Sequence, residues 1–137
     1  MALGPRAALL RGPSGSGKSD LALRFALETP ASLHPALVAD DQVLVERVDG
    51  RLFASPPATI AGKIEVRGIG IVTLAHRPQA ELRLLIDLSE PDDVPRLPPT
   101  GGEANEGFCG LSLPVLRLAP FEASAPLKLR LALQTLA

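Results

Sequence analysis

Eight consecutive residues carry a chemistry that can be read from type and spacing: Gly12-Pro13-Ser14-Gly15-Ser16-Gly17-Lys18-Ser19. They complete the GxxxxGK[ST] pattern of a phosphate loop, with the apolar run Ala7-Ala8-Leu9-Leu10 before it and the helix-prone Asp20-Leu21-Ala22-Leu23-Arg24 after it. Glycines let such a backbone curl with its N–H groups inward, so that a polyphosphate rests on those donors and on the positive end of the following helix. Lys18 then reaches the β- and γ-phosphates of a nucleotide, and Ser19 offers its hydroxyl to a magnesium ion. A second group is Asp40-Asp41, delivered by the apolar run Ala36-Leu37-Val38-Ala39. Carboxylates at the end of a strand, one helix after a phosphate loop, suit a magnesium site, although an Asp pair can simply open a turn. Two adjacent carboxylates can divide the work, one orienting the metal and the other accepting a proton from an attacking hydroxyl. The third group lies in Ile64 to Val72, where Glu65 and Arg67 alternate with apolar residues until Gly68 and Gly70 interrupt. Spacing alone leaves two readings of it open. One is a half-exposed strand bulged at its glycines; the other is a backbone shaped for close approach, with Glu65 and Arg67 on one face.

The elements that must position these groups follow from periodicity and stops. Leu9-Leu10-Arg11 reads as the exit of the first strand. Leu21, Ala22, Phe25 and Ala26, widened by Leu23 and Leu27, predict a helix from Ser19 to Thr29 that Pro30 ends. Ala31 to Pro35 is a loop with a solvated His34, and Ala36–Ala39 is a buried central strand. Val43 to Val48 and Arg51 to Ala54, joined by Asp49-Gly50, form a hairpin. Ser55-Pro56-Pro57 closes it, and Ala58 to Gly62 is a short turn. Ala80 to Glu90 is a strand with Leu82, Leu84, Ile86 and Leu88 on one face and Leu85 on the other. Asp92 to Gly110 reads as a loop, Leu111 to Leu118 as a strand broken by Pro114, and Ala123 to Leu136 as a helix begun at Ser124 and Pro126 that buries Leu127, Leu131 and Leu133. A hairpin directly after the Asp pair departs from the helical crossover expected of small-molecule kinases.

Composition narrows the function classes. The 137 residues suit one domain, and 46% apolar with 21% charged residues is a globular balance. A net charge of −1, four Phe and no Tyr or Trp argue against nucleic acid as a partner. The single cysteine, Cys109, supports neither an internal disulfide nor a cysteine zinc site, which fits a reducing cytoplasm. No apolar run has spanning length and no signal peptide is recognisable, so a soluble cytoplasmic protein without a membrane partner is expected.

Gly12 to Ser19, Leu37-Val38-Ala39-Asp40-Asp41, Ser55-Pro56-Pro57 and above all Ile64-Glu65-Val66-Arg67-Gly68-Ile69-Gly70-Ile71 resemble the catalytic C-terminal domain of bacterial HPr kinase/phosphorylase. The similarity runs from about Ala7 to Val72, more loosely beyond, and is to the short alphaproteobacterial form. It implies an α/β phosphate-loop domain of the HPr kinase and phosphoenolpyruvate carboxykinase type, a mixed sheet with flanking helices. The implied activity is ATP-dependent phosphorylation of a serine on HPr, the phosphocarrier of the sugar phosphotransferase system, with a phosphate-driven reverse reaction. Also implied are ATP on Gly12, Pro13, Ser14, Gly15, Ser16, Gly17, Lys18 and Ser19, and magnesium on Ser19, Asp40 and Glu65. Asp41 is the implied proton acceptor, with Asp40, Lys18 and Arg67 serving transfer, and the family assembles into hexamers. The chain departs from the family in three ways. The family's catalytic histidine precedes the position where this sequence begins, and the N-terminal domain of longer members is absent. A PVRPGRN-like segment is replaced by Leu113-Pro114-Val115-Leu116-Arg117-Leu118-Ala119-Pro120-Phe121. Arg96 falls near a family arginine but equally suits a solvated loop. Two rival functions follow: a nucleotide-dependent binding module without transfer, and a small-molecule phosphate-loop kinase with Asp92 to Gly110 as its lid.

Overall fold

The computed structural model describes residues 1–99 and 104–137. In chain order the elements are β1 (Ala2–Leu3), β2 (Arg6–Arg11), α1 (Lys18–Glu28), β3 (Pro35–Ala36), β4 (Leu44–Val48), β5 (Arg51–Ser55), β6 (Lys63–Val66), β7 (Gly70–Thr73), β8 (Ala80–Leu88), β9 (Asn105–Phe108), β10 (Leu111–Leu118) and α2 (Ala125–Thr135). Apolar β8 is the centre of the main sheet, parallel to β2 from Arg6↔Glu81 to Arg11↔Asp87 and to β10 from Val115↔Leu85 to Leu118↔Leu88. β1 is antiparallel to β2 and carries β3 at the edge. β5 pairs antiparallel with the first residues of β8, at Phe53↔Glu81, on the edge that β10 occupies further along. The result is an α/β domain with a mixed sheet.

Both helices pack on one face. Leu21 and Phe25 of α1 and Leu129 and Leu133 of α2 meet Leu84 and Ile86 of β8 there, with Ile64 of β6. On the other face Leu82, Leu85 and Leu113 meet Val38, Leu52 and Ala54, so the β4–β5 hairpin covers what a second helical layer would otherwise cover. The Asp49-Gly50 turn of that hairpin has φ 50 and 73, the left-handed pair that a tight two-residue connection requires.

Several expectations are corrected. Ala36–Ala39 is not a central strand: β3 is two residues at the sheet edge, and Leu37 instead bonds the 75–77 segment, donating to Ala75 O and accepting from Arg77 N. Its burial comes from packing and not from a ladder on both sides. Ile64 to Val72 is a hairpin and not a bulged strand, because Gly68 with φ 84 turns the chain back and β6 pairs with β7. Leu82 faces away from Leu84, because β8 carries an extra residue against Ala7 and Ala8 of β2, and this bulge flips the alternation. The stretch Asp92 to Gly110 contains a 3-10 turn at Pro91–Asp93 and strand β9, while 100–103 lie outside the described residues. Pro114 does not break β10. It stands where the strand changes from antiparallel pairing with β9 to parallel pairing with β8, a junction that tolerates a missing N–H. Leu127 and Leu131 of α2 are exposed while Ala125, Leu129, Ala132 and Leu133 are buried, and Leu27 of α1 is exposed as well. The first two lie on the opposite helical face from the i, i+4, i+7, i+8 stripe that meets the sheet.

Candidate functional site

The phosphate loop joins the end of β2 to the start of α1. Gly17 is the residue before the helix, with φ 95, and no side chain caps the helix N-terminus. Its first amides are therefore left for another acceptor. Gly12 lies close against Ser16: a Cβ there would be 2.5 Å from Ser16 Oγ, so that hydroxyl would have to move. That hydroxyl oxygen is buried without a hydrogen-bond partner. Lys18 Nζ donates to Gly12 O at 2.6 Å and to Pro13 O at 2.9 Å, folding back over the loop where phosphate oxygens would replace those carbonyls. Uncapped amides, an orphaned hydroxyl and a lysine at the centre of the ring fit a polyphosphate.

The carboxylate expected beside the loop is there. Ser19 Oγ donates to Asp40 Oδ1 at 2.7 Å, and the Glu65 main-chain N–H donates to Asp40 Oδ2 at 3.2 Å. Asp40 thus ties the first turn of α1 to β6, bringing three predicted residues together, Glu65 through its backbone. A hydroxyl and one carboxylate are a fitting protein share for magnesium, which keeps waters and takes its remaining ligands from substrate phosphates. Among the described residues no three His, Cys, Asp or Glu side chains form a metal cluster. Asp41, next to Asp40, is exposed, and Arg67 is exposed in the β6–β7 turn. Neither has a hydrogen-bonding or ion-pairing partner among the described residues. Arg96 is exposed outside this group, and Cys109 is an exposed thiol at φ 49 in the β9–β10 turn.

Two arginines that sequence reasoning passed over hold the loop's surroundings. Arg11, the last residue of β2, binds Asp87 through Nε at 2.7 Å and Nη2 at 3.0 Å, and Glu106 through Nη1 at 2.7 Å and Nη2 at 2.8 Å. The Glu106 hydrogen bond, then that of Asp87, raises the Arg11 guanidinium further above its usual range, and Arg11 in turn lowers Glu106. Arg24 on α1 bonds Asp20 one turn earlier at 2.9 Å and also donates to the main-chain oxygens of Pro120 and, at 3.2 Å, Glu122. Asp20 and Arg24 are an i, i+4 pair on the helix, whereas the Pro120 and Glu122 contacts join segments almost a hundred residues apart.

The HPr Serine kinase C-terminal domain model matches residues 6–118. The HPr kinase/phosphorylase of Clostridium tetani is 41% identical over 64 residues, covering 47% of this chain and 19% of the relative. That of Clostridium kluyveri is 42% identical over 67 residues, 49% and 20% respectively, and that of Mycoplasma genitalium 33% over 86 residues, 58% and 26%. The chain therefore spans about a fifth to a quarter of the length of these relatives. The Hpr(Ser) kinase/phosphatase structure from Coxiella burnetii superposes with a TM-score of 0.77 at 25% identity, covering 96% of this chain and 83% of that one. With the family model matching most of its length, the chain belongs to the HPr Serine kinase C-terminal domain family.

Proposed function

We propose that this chain is a protein-serine kinase domain that transfers the γ-phosphoryl group of ATP to a serine of HPr, and that it works in the cytoplasm as a homo-oligomer. The observation that carries the reading is Asp40 held between the Ser19 hydroxyl and the Glu65 amide, a carboxylate fixed at the mouth of a phosphate loop. Lys18 leaves Gly12 O and Pro13 O for the phosphates, and the open amides of α1 hold them. Ser19 and Asp40, with Glu65 beside them, are the residues that would hold magnesium, whose charge offsets that of the phosphates. Arg67 is the cation we assign to the transferred group.

Positioning and charge stabilisation do most of the work of phosphoryl transfer, which leaves one proton to manage. Asp41 is exposed where an incoming protein can reach it. As the serine oxygen bonds to the γ-phosphorus and the bond to ADP breaks, Asp41 accepts the serine proton. With inorganic phosphate as the attacker, Asp41 returns that proton to the leaving serine oxygen.

Intact-mass analysis of HPr after incubation with ATP and magnesium tests this. The expected result is a gain of one phosphate that Lys18→Ala abolishes. Asp41→Asn should leave ATP binding unchanged and lower the transfer rate by roughly 10²–10⁴-fold, the usual share of a general base. Full transfer by Asp41→Asn would remove Asp41 from that role, and ATP binding without any mass gain would leave a nucleotide-binding module.

A further inference from the structure

A cavity of about 680 Å³ beside the phosphate loop takes no part in the chemistry described above. One wall is Pro13 to Ser16, and the other is the segment Ala119 to Glu122 that leads from β10 into α2. Its size is that of a small-molecule pocket. Its charges are wrong for a second phosphate: Glu90, Asp93 and Glu122 line it against a single arginine, Arg117, which donates to Asp93 O at 3.3 Å. A neutral end of a ligand suits it better than an anionic one.

Phe121 stands in this cavity. The chain has four aromatic residues, and Phe121 is 70% exposed whereas Phe25 is fully buried and Phe53 and Phe108 are partly buried. The exposed ring nonetheless lies against the phosphate loop. Its edge lies so close to Gly17 that a Cβ on that glycine would be 2.9 Å from Phe121 Cζ. The main chain on either side is held by Arg24, through Pro120 O and Glu122 O. A solvent-facing ring against the last residue before α1, on a main chain tied to that helix by Arg24, offers a stacking surface.

The direction of the ligand follows from the two ends of the site. Ser19 and Asp40 mark the end that takes the terminal phosphate and its metal, and neither lines the cavity, whose share of the loop is Pro13 to Ser16. We infer that Phe121 is the platform on which the base of the bound nucleotide stacks, so that it determines preference for a nucleotide over a bare polyphosphate. This rests on the reading of Gly12 to Ser19 as a nucleotide site.

Binding by calorimetry, with magnesium, of ATP and of inorganic tripolyphosphate separates the two claims. The wild-type chain should prefer ATP, and Phe121→Ala should weaken ATP by roughly tenfold or more, the usual worth of base stacking, while leaving tripolyphosphate unchanged. Phe121→Trp should restore ATP affinity. Because the chain has no other Trp, its emission should change with ATP and not with tripolyphosphate. Equal ATP affinity in wild type and Phe121→Ala, or an equal emission response to both ligands, overturns the inference. So does loss of both ligands in Phe121→Ala that Phe121→Trp does not repair, which would make the ring part of the loop's scaffold. If the wild-type chain binds both ligands equally, only this inference falls; if it binds neither, the nucleotide reading falls with it.

Discussion

Asp40 uses its two carboxylate oxygens for two different donors, the hydroxyl of Ser19 and the amide of Glu65. Asparagine can hold both partners by accepting from the Glu65 amide through Oδ1 and donating from Nδ2 to the Ser19 hydroxyl, so Asp40→Asn reverses one hydrogen bond. It also removes the negative charge that we assign to the metal. The fold should survive, because the residue is only partly buried and its neighbours can reach water. Magnesium-dependent enhancement of ATP binding should fall by roughly 10–100-fold, the cost of replacing a hydrogen-bonded partner at a metal site, while metal-free binding changes little. Titration of ATP with and without magnesium reads both terms. Lys18 presents the complementary case. Its contacts to Gly12 O and Pro13 O hold an ammonium group beside the loop's backbone, where it adds to the pull of the loop amides on an anion.

The β9–β10 hairpin is joined to β8 by the β10 backbone ladder and to β2, the strand that leads into the phosphate loop, by charge. Glu106 of β9 and Asp87 of β8 share Arg11, and Arg11 lowers Glu106 below the ordinary glutamate range near 4.5. A depressed carboxylate contributes above its unfolded pKa, and the contribution is lost as pH falls through the folded value. Amide exchange in Asn105–Phe108 should therefore accelerate as pH drops below about 4.5, once corrected for intrinsic rates, and in Glu106→Gln this extra acceleration should disappear. The pair is exposed, so rising salt should weaken it too. At this scale the sequence was informative where a signal is local. The phosphate loop, α1 and the Asp49-Gly50 hairpin were legible because turn chemistry and helical stops act within a few residues. The β6–β7 hairpin was not, since Gly68 and Gly70 suit a bulge as well as a turn. Leu82 was assigned to the wrong face because one extra residue against β2 resets the alternation, and only pairing with a distant strand shows it. Ser19 and Asp40, expected beside each other, are hydrogen-bonded, whereas the contacts of Arg11, Arg24 and Phe121 join segments far apart in the chain and leave no periodic trace.

Across the whole molecule the sheet is covered asymmetrically, by two helices on one face and a hairpin on the other. The helical face carries most of the large buried side chains, and α2 contributes Leu129 and Leu133 to it while Leu127 points outward. Leu129→Ala should cost about 2–5 kcal/mol through lost burial and the cavity left behind. Leu127→Ala should stay within about 0.5 kcal/mol. Denaturant titration of the two variants measures that contrast directly. The pairing of β2 with β8 has a consequence for the order in which the chain acquires its form. Asp87, the partner of Arg11 in the sheet and in the salt bridge, is made 76 residues after it. The hairpins β4–β5 and β6–β7 close over a handful of residues and can form on the microsecond scale, while parallel pairing across such a span waits for chain closure. The glycine-rich loop is thus made well before the strand partner that holds it in shape. Through that interval Asp40, Asp41, Glu65 and Arg67 already exist as residues, with no site yet for them to belong to.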